Sequence, residues 1–327
     1  MNAPAAPLVL KFGGSAFAEL DGFTRIARYV AGRAAAAGRP VVVVVSAMSG
    51  TTGRLQETLD HLAPDPPGEA AAMLLTSGET VSVALLAAAL GAAGLPASAV
   101  PAAGTGLLGE GPPQHAELIR ADPAPLRAAL GARRVAVVPG GQAVDGAGHT
   151  VMLGRNSSDL SAVALAGGLG APVCELFSDV PGVCTADPRL VPAARTLGGV
   201  DYATVDRMSR HGAKVVHTRA VTWARRTGVL LHCRPLPPLA GEGTTVGRGP
   251  ASAAVVVAAH DDRLSRVTAL FSDGRAEHAL VPHAEAPGRA RRAHERLFPG
   301  AERALGGRAA GPLPPKARSP HSDVLIT

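Results

Sequence analysis

Short apolar runs alternate with longer stretches of helical periodicity along most of this chain. Residues 8–12 and 41–45 are strand-like runs, the second of them VVVVV. Between them Phe23, Ile26 and Val30 recur at the spacing of one helix face. Two buried strands joined through a helix favour a parallel sheet with helices on both faces. We therefore predict an α/β fold, a three-layer αβα sandwich with a mainly parallel central sheet.

The same alternation continues until the stretch PLPPLAGEG interrupts it. Helices are predicted over 69–90, 159–169 and 203–217, and strands over 134–138, 173–177 and 229–233. We place one main domain at residues 1–250 and a short remnant at 251–327. The remnant has two strand candidates, AVVVAA and RVTALF, and a tail from residue 286 that is rich in Arg, Pro, Gly and Ala. Such a tail is expected to have little fixed structure.

Composition narrows the class of protein. The chain has 327 residues, 46% hydrophobic and 18% charged, which suits one large core. Its net charge of +6 comes from scattered Arg without interleaved aromatics, so no nucleic-acid partner is expected. Cys174, Cys184 and Cys233 lack metal-ligand spacing, which fits a reducing cytoplasm. Neither secretion nor membrane insertion is expected from the sequence.

The segment KFGGSA places Lys11 at the end of a predicted strand, directly before Gly13, Gly14 and Ser15. Glycines let backbone amides approach phosphate oxygens, and a lysine adds a mobile cation. In a Walker P-loop the lysine follows the glycines, so this order is different. Taken alone, a Gly-Gly pair after a strand is more often an ordinary turn.

Hydroxyl side chains follow the next strand in VSAMSGTT, which contains Ser46 and Thr52. Ligands of open α/β sheets bind at the carboxyl ends of strands, so these hydroxyls are expected in the crevice that holds Lys11. A polar connection with a helix cap is the alternative.

A third segment runs from the glycines of PGGQ to LGRNSSD. Arg155 can hold a substrate carboxylate, and Ser158 and Asp159 stand at a predicted helix start, where oxygens of a phosphate or substrate are favoured. Asp159 is equally suited to capping its helix.

The fourth segment, SDVPGVCTADPRLVP, has too many turn residues for an ordinary connection and is interpreted as a binding loop. Asp179, Asp187 and Arg189 can contact a nucleotide there, although Asp-Pro and Pro-Gly pairs also form turns without a ligand. Lys214, in HGAKVVH, is one of three lysines in an Arg-rich chain. A solvated surface lysine is the alternative.

Together with TSGE at 76–79, these segments occur in an order that resembles the aspartokinase catalytic domain of the amino-acid kinase superfamily, over about residues 8–250. The resemblance implies ATP-dependent phosphorylation of a carboxylate, with 4-phosphoaspartate as the product from aspartate. It implies that Lys11 and Asp159 are catalytic, and that Mg²⁺ arrives with ATP without direct protein ligands. The implied substrate-binding residues are Ser46, Thr52, Glu79, Arg155 and Ser158. The implied nucleotide-binding residues are Lys11, Gly13, Gly14, Ser15, Ser178, Asp179, Cys184, Arg189 and Lys214.

Several positions depart from the family pattern. Asn156 and Ser157 replace two glycines, Gly141 replaces an aromatic, and Cys184 replaces a tyrosine. Too little chain follows residue 250 for two regulatory ACT modules, so the remnant is expected to be a degenerate ACT-like module or a partly disordered tail. We accordingly expect weak or absent feedback inhibition by lysine or threonine, and the resemblance also implies a possible homo-oligomer. Two other functions remain open: a kinase for another small amino or carboxylic acid, and a non-catalytic regulatory homologue.

Overall fold

A computed structural model describes residues 5–237, 241–249, 254–261 and 263–300, which form two compact units. Unit 1 comprises the described residues up to Asp179 and those from Arg219 to 237. Unit 2 comprises Val180–Thr218 and the described residues from Gly241 onward.

The strands of unit 1 form two sheets. They are β1 (Leu8–Phe12), β2 (Val41–Val45), β3 (Ser98–Ala99), β4 (Leu107–Glu110), β5 (Glu117–Ala121), β6 (Val135–Pro139), β7 (Gln142–Val144), β8 (Thr150–Met152), β9 (Val173–Ser178) and, after an excursion of the chain into unit 2, β11 (Leu230–Pro235). The central sheet has the order β11-β9-β1-β2-β6-β3, with every neighbouring pair parallel. A smaller mixed sheet has the order β5-β4-β7-β8.

Helices cover both faces of the central sheet. The helices are α1 (Asp21–Ala37), α2 (Thr51–Leu62), α3 (Gly68–Ala92), α4 (Ala124–Arg133), α5 (Ser158–Leu169) and α7 (Thr218–Thr227). On one face α1 and α3 form a core with alternate residues of β1, β2 and β6. Helix α5 packs on β1, β2 and β9. The predicted α/β fold with a mainly parallel sheet is confirmed.

Strand β2 shows why the sheet is stable. Its five valines are all fully buried, as expected for a central parallel strand that is covered on both faces. Valine is stiff about χ1 and suits the pleated backbone. Each such side chain contributes about 1.5 to 3 kcal/mol through burial.

Helix α3 is long and apolar enough, by length and composition, to cross a membrane. Within unit 1 its side chains Leu75, Val83 and Leu86 are buried. It packs against α1, α2 and β6, as the core helix of a globular unit does.

Unit 2 contains β10 (Gly199–Val200) and β12 (Thr244–Val246), which pair in parallel, and α6 (Tyr202–Arg210). The antiparallel sheet of β13 (Val255–His260), β14 (Leu264–Leu270) and β15 (Ala276–Pro282) follows, and then α8 (Ala286–Leu297). We call β13–β15 with α8 the C-terminal module. The predicted domain boundary at residue 250 stays a prediction, as does the likeness of this module to an ACT domain.

Two expectations for unit 2 were wrong. The predicted helix 203–217 ends at Arg210, where Gly212 takes a left-handed conformation with φ of 96°. The segment 286–297 has a fixed helical structure, because Ala286, Ala290 and Ala293 lie on one buried face while its arginines keep the opposite face solvated. The remainder of the predicted tail, 301–327, lies outside the described residues.

Candidate active site

Four strands of unit 1 end side by side. The register pairs Phe12 with Val45 and Phe177, and Val45 with Pro139. The segments that follow β1, β2, β6 and β9 therefore begin along one edge of the sheet. In open α/β sheets this edge, at the carboxyl ends of the strands, is where ligands bind.

Lys11 and Asp159 form an ion pair at this edge. Lys11 Nζ lies 2.8 Å from Asp159 Oδ1, with the two side chains 14% and 13% exposed. Lys11 is the last residue but one of strand β1, and Asp159 lies in the first turn of α5, whose N-cap position is Ser157. The carboxylate thus fixes the direction of a lysine amine that still reaches solvent.

The loop after β1 lies directly against the loop after β2. A Cβ added to Gly14 would stand 2.9 Å from the carbonyl oxygen of Ala47, so no larger residue fits there. Gly13 lies beside Lys11, whose Nζ would be 3.5 Å from a Cβ at that position. Ser15 follows and is exposed. The glycines that sequence analysis assigned to phosphate binding therefore adjoin the lysine.

Two serine hydroxyls meet nearby. Ser46 Oγ donates to Ser158 Oγ at 3.0 Å, which links the loop after β2 to the start of α5. A Cβ on Gly140 would lie 2.5 Å from the Cβ of Ser158. This close approach of the loop after β6 holds Ser158 in place.

Glu79 reaches the same loop from α3. The backbone N–H of Ala47 donates to Glu79 Oε1 at 3.1 Å. Burial raises the pKa of Glu79 to about 7, although hydrogen bonds from the Ala47 backbone and the Gln142 side chain act in the opposite direction. A carboxylate with this pKa changes charge near neutral pH.

Gln142 is a site residue that sequence analysis missed. It is 2% exposed, hydrogen-bonds Glu79, and donates from Nε2 to the carbonyl oxygen of Thr76 at 2.6 Å. The sequence feature that could have indicated it is a polar residue directly after the glycine pair and before two apolar residues. Because Gln142 is held by α3, it orients the Glu79 carboxylate.

The turn that carries Arg155 is exposed at its tip. Arg155 and Asn156 are both exposed, and Arg155 has no hydrogen-bond or ion-pair partner within the described residues. Asn156 has a φ of 58°, a left-handed conformation that Asn tolerates better than most residues after Gly. This explains how Asn can stand where the family has glycine, and it leaves the guanidinium of Arg155 available for a carboxylate.

Ser157 points into the turn and not toward solvent. It is 1% exposed, and its hydroxyl donates to the carbonyl oxygen of Gly154 at 2.6 Å. The same hydroxyl would be 3.1 Å from a Cβ at Gly141, whose φ is 73°. Ser157 and Gly141, which both depart from the family pattern, therefore face each other.

Arg219 supports this turn from α7, and sequence analysis also missed it. Its guanidinium donates to the carbonyl oxygens of Leu153 at 3.1 Å and Ala116 at 3.0 Å. No motif marked this arginine, because both of its acceptors are backbone atoms. Thr52 lies in the first turn of α2, and among the described residues no hydrogen bond joins its side chain to the residues above.

The residues assigned to the nucleotide are divided between the units. Ser178 ends β9 and Asp179 follows it, both in unit 1, whereas Cys184, Arg189 and Lys214 belong to unit 2. Arg189 and Lys214 are exposed. Cys184 is buried, and burial raises the pKa of its thiol, so this side chain is uncharged near neutral pH.

Within the described ranges, no three His, Cys, Asp or Glu side chains are grouped as a metal cage would require. Magnesium commonly keeps several waters and takes one or two carboxylates together with substrate phosphates. Asp159, beside Lys11, is a carboxylate of that kind.

Comparison with known proteins identifies relatives of the whole region that holds this site. A model described as the amino acid kinase family matches residues 6–234. The aspartokinase of Thermus thermophilus is 37% identical over 229 residues, which cover 70% of this chain and 56% of that protein. The chain thus spans about half the length of the curated relatives it matches.

Solved structures of aspartate kinases have the same fold as this chain. The aspartate kinase from Synechocystis superposes with a TM-score of 0.65 at 36% identity, covering 75% of this chain and 40% of that one. Aspartokinase III from E. coli, solved in complex with aspartate and ADP, shares the fold at 24% identity with a TM-score of 0.65, covering 80% and 68% of the two chains. The resemblance inferred from the motifs is confirmed.

Proposed function

Since the chain belongs to the amino acid kinase family, we propose that it uses ATP to phosphorylate the side-chain carboxylate of L-aspartate, giving 4-phospho-L-aspartate. The observation that carries the proposal is the Lys11–Asp159 pair beside Ser46, Ser158 and Glu79 at the strand ends. Relatives named aspartokinase support aspartate as the acceptor. The complex of the E. coli protein with aspartate and ADP supports the same pair of ligands.

The substrate roles follow from charge. Glu79, when ionised, pairs with the ammonium of aspartate, and the free guanidinium of Arg155 pairs with its α-carboxylate. The hydroxyls of Ser46, Thr52 and Ser158 donate to the remaining carboxylate oxygens. The reacting carboxylate then lies on the Lys11 side of the site.

The transfer itself needs alignment and neutralised charge. A side-chain oxygen of aspartate attacks the γ-phosphorus of ATP in line, the bond from that phosphorus to the bridging oxygen breaks, and ADP leaves with the bridging oxygen. The attacking carboxylate is already ionised, so no general base is required. Lys11, held by Asp159, stabilises negative charge between the phosphates and the acceptor.

For the nucleotide we propose Gly13, Gly14 and Ser15 with Lys11 at the phosphates. We further assign Ser178, Asp179, Cys184, Arg189 and Lys214 to the remainder of ATP. Asp159 is the residue that would contact the water shell of a Mg²⁺ ion carried by the phosphates, and that ion would supply further charge neutralisation. A cytoplasmic location is proposed as well, which agrees with three free, buried cysteines.

The test is ATP turnover with Mg²⁺ against a panel of amino and dicarboxylic acids, with hydroxylamine to trap the acyl phosphate and Lys11→Ala as the blank. Hydroxamate from aspartate that the variant does not produce is the expected result. Hydroxamate from a different acid would support the proposed mechanism but show that this acid, and not aspartate, is the acceptor. Nucleotide binding without any hydroxamate would favour the non-catalytic homologue.

Two further expectations stay predictions. Feedback inhibition is expected to be weak, and titration with lysine and threonine during turnover tests it. Homo-oligomerisation is also proposed, and sedimentation of the active protein tests it.

A further inference from the structure

The C-terminal module lies outside the region matched by the family model, yet it shares a core with the loop that the proposed function assigns to ATP. That loop is the hairpin 183–197. Cys184 and Thr196 pair as an antiparallel β-bridge. The Thr185 N–H donates to the carbonyl oxygen of Arg195 at 2.9 Å, and the Leu197 N–H donates to the carbonyl oxygen of Val183 at 2.8 Å. The hairpin and the module both belong to unit 2.

The hairpin has a buried base and an exposed tip. Residues 183–186 and Val191 are buried, whereas Asp187 and Arg189 are exposed. At the tip the N–H groups of Leu190 and Val191 donate to the carbonyl oxygen of Asp187, at 3.0 and 2.9 Å. Arg189 is therefore held on a short turn whose two ends are anchored in the core.

The module supplies the partners for that base. Ala186, Val191 and Ala193 of the hairpin pack in one cluster with Val256, Val267 and Ala290 of the module. Val256 N–H donates to the carbonyl oxygen of Thr185 at 2.8 Å, and Arg291 Nε to that of Leu190 at 3.1 Å. Strand β13 and helix α8 thus hold the hairpin from two sides.

A second side chain of α8, that of His294, contacts a side chain of the hairpin directly. Nε2 of His294 lies 2.9 Å from Thr185 Oγ1, with the two residues 2% and 4% exposed. The same hydroxyl accepts from the backbone N–H of Arg195 at 3.0 Å. Because both side chains are almost fully buried, loss of the imidazole would remove one of the two hydrogen-bond partners of the Thr185 hydroxyl and loosen the hairpin.

We propose that His294 is a positioning residue for nucleotide binding, which acts by fixing Thr185 and through it the tip that carries Arg189. This rests on the proposed assignment of the 183–197 hairpin to ATP. The C-terminal module is then a built-in support of the nucleotide site. An ordered hairpin binds better because less conformational entropy is lost on binding.

The test compares full-length variants by calorimetric titration with MgADP, which needs no phosphoryl acceptor, and by the separate KM values for ATP and aspartate. His294→Ala and Thr185→Val are each expected to weaken MgADP binding and raise KM for ATP by about tenfold, the size expected for a lost buried hydrogen bond. KM for aspartate should stay unchanged. The double variant should bind no more weakly than either single one, because both changes remove the same contact.

Two controls separate positioning from general damage. His294→Gln, whose amide can reach the position of Nε2, should restore most of the affinity. His278→Ala removes an exposed histidine of β15 in the same module and should leave both KM values unchanged. If His294→Ala does not fold, Thr185→Val and His294→Gln still decide the question.

The outcomes distinguish this inference from the proposed function. Wild-type affinity for MgADP in folded Thr185→Val and His294→Ala would overturn the positioning role, as would equal increases in both KM values. A wild-type protein that binds MgADP but phosphorylates no acid, with weaker binding in the variants, would refute the proposed reaction and support the positioning role. A wild-type protein that binds no nucleotide would refute both.

Discussion

At the scale of single residues, the site combines one fixed charge pair with one carboxylate that titrates near neutrality. Lys11 is oriented by Asp159, whereas Glu79 is shielded and has a raised pKa. The pair is suited to stabilising a transferring phosphoryl group, and Glu79 to binding an ammonium. Each can be tested separately.

Glu79 predicts a pH dependence. With a pKa of about 7 in the free protein, it is mostly protonated at pH 6 and cannot pair with the ammonium of aspartate. We expect kcat/KM for aspartate to fall as pH decreases below 7, with kcat/KM for ATP much less affected. A profile that is flat between pH 6 and 8 would contradict this role.

The raised pKa of Glu79 also affects stability, but stability is expected to fall as pH rises, whereas kcat/KM for aspartate is expected to increase. Between the ordinary glutamate pKa and about 7, the folded protein binds the proton more tightly than the unfolded chain does, so the contribution of Glu79 to the free energy of unfolding falls as pH rises through this window. Glu79→Gln should remove that slope in denaturant titrations. It should also abolish the pH dependence of aspartate use, at a low residual activity.

Lys11 should matter for the chemical step more than for folding. Lys11→Met is expected to lower kcat by about 10²- to 10³-fold, the usual effect of removing a group that stabilises transition-state charge. The lysine still reaches solvent, so Tm should change little. Single-turnover measurements with saturating ATP and aspartate test this, and an unchanged rate would exclude Lys11 from the transfer step.

At the scale of elements, the sequence predicted the strands whose position is set by a continuous apolar run. The strands β1, β2, β6 and β9 were predicted within a residue or so of their observed bounds, because continuous apolar runs flanked by turn residues mark buried strands. The site at their carboxyl ends followed from the same reasoning. The motif residues Lys11, Ser46, Ser158 and Asp159 do lie together.

Other elements and residues could not be predicted, because their sequence patterns are weak. Strand β15 has only a weak apolar pattern, because most of its residues are exposed and only Ala279 and Val281 are partly buried. Helix α8 is dominated by Arg and Ala, a composition that also occurs in disordered tails, and only its packing on β13 and β14 shows that it is folded. Gln142 and Arg219 both donate to backbone carbonyl oxygens, and such contacts leave no motif in the sequence.

Helix α3 provides a test at this scale, because its approach to the loop after β2 depends on one glycine. A Cβ at Gly78 would lie 2.9 Å from the Cβ of Ala47, whereas one at Gly91 would meet nothing within 4 Å. Gly78→Ala should displace Glu79, raise KM for aspartate, and destabilise the protein by about 1 to 3 kcal/mol through overpacking. Gly91→Ala on the same helix should instead stabilise it by about 0.5 to 1 kcal/mol. Urea denaturation and steady-state kinetics of the two variants make the comparison.

At the scale of the whole molecule, the described part of residues 254–300 is a folded component and not an appendage. Its core includes residues of the hairpin 183–197, so a chain that ends at residue 253 would expose Ala186 and Val191. We expect that truncation to lower Tm and to weaken MgADP binding. Thermal unfolding with and without MgADP tests this, and a truncated protein that retained both properties would show the C-terminal module to be dispensable.

The order of the strands in unit 1 has a consequence for synthesis. Strand β9 pairs with β1 on one side and β11 on the other, but β11 is made only after the chain has passed through 180–218. While that segment leaves the ribosome, β9 is an apolar edge strand with unpaired backbone groups, a state prone to aggregation. Translation through 180–218 is thus the interval in which the nascent protein has most need of a chaperone, and slow codons there would prolong the exposure.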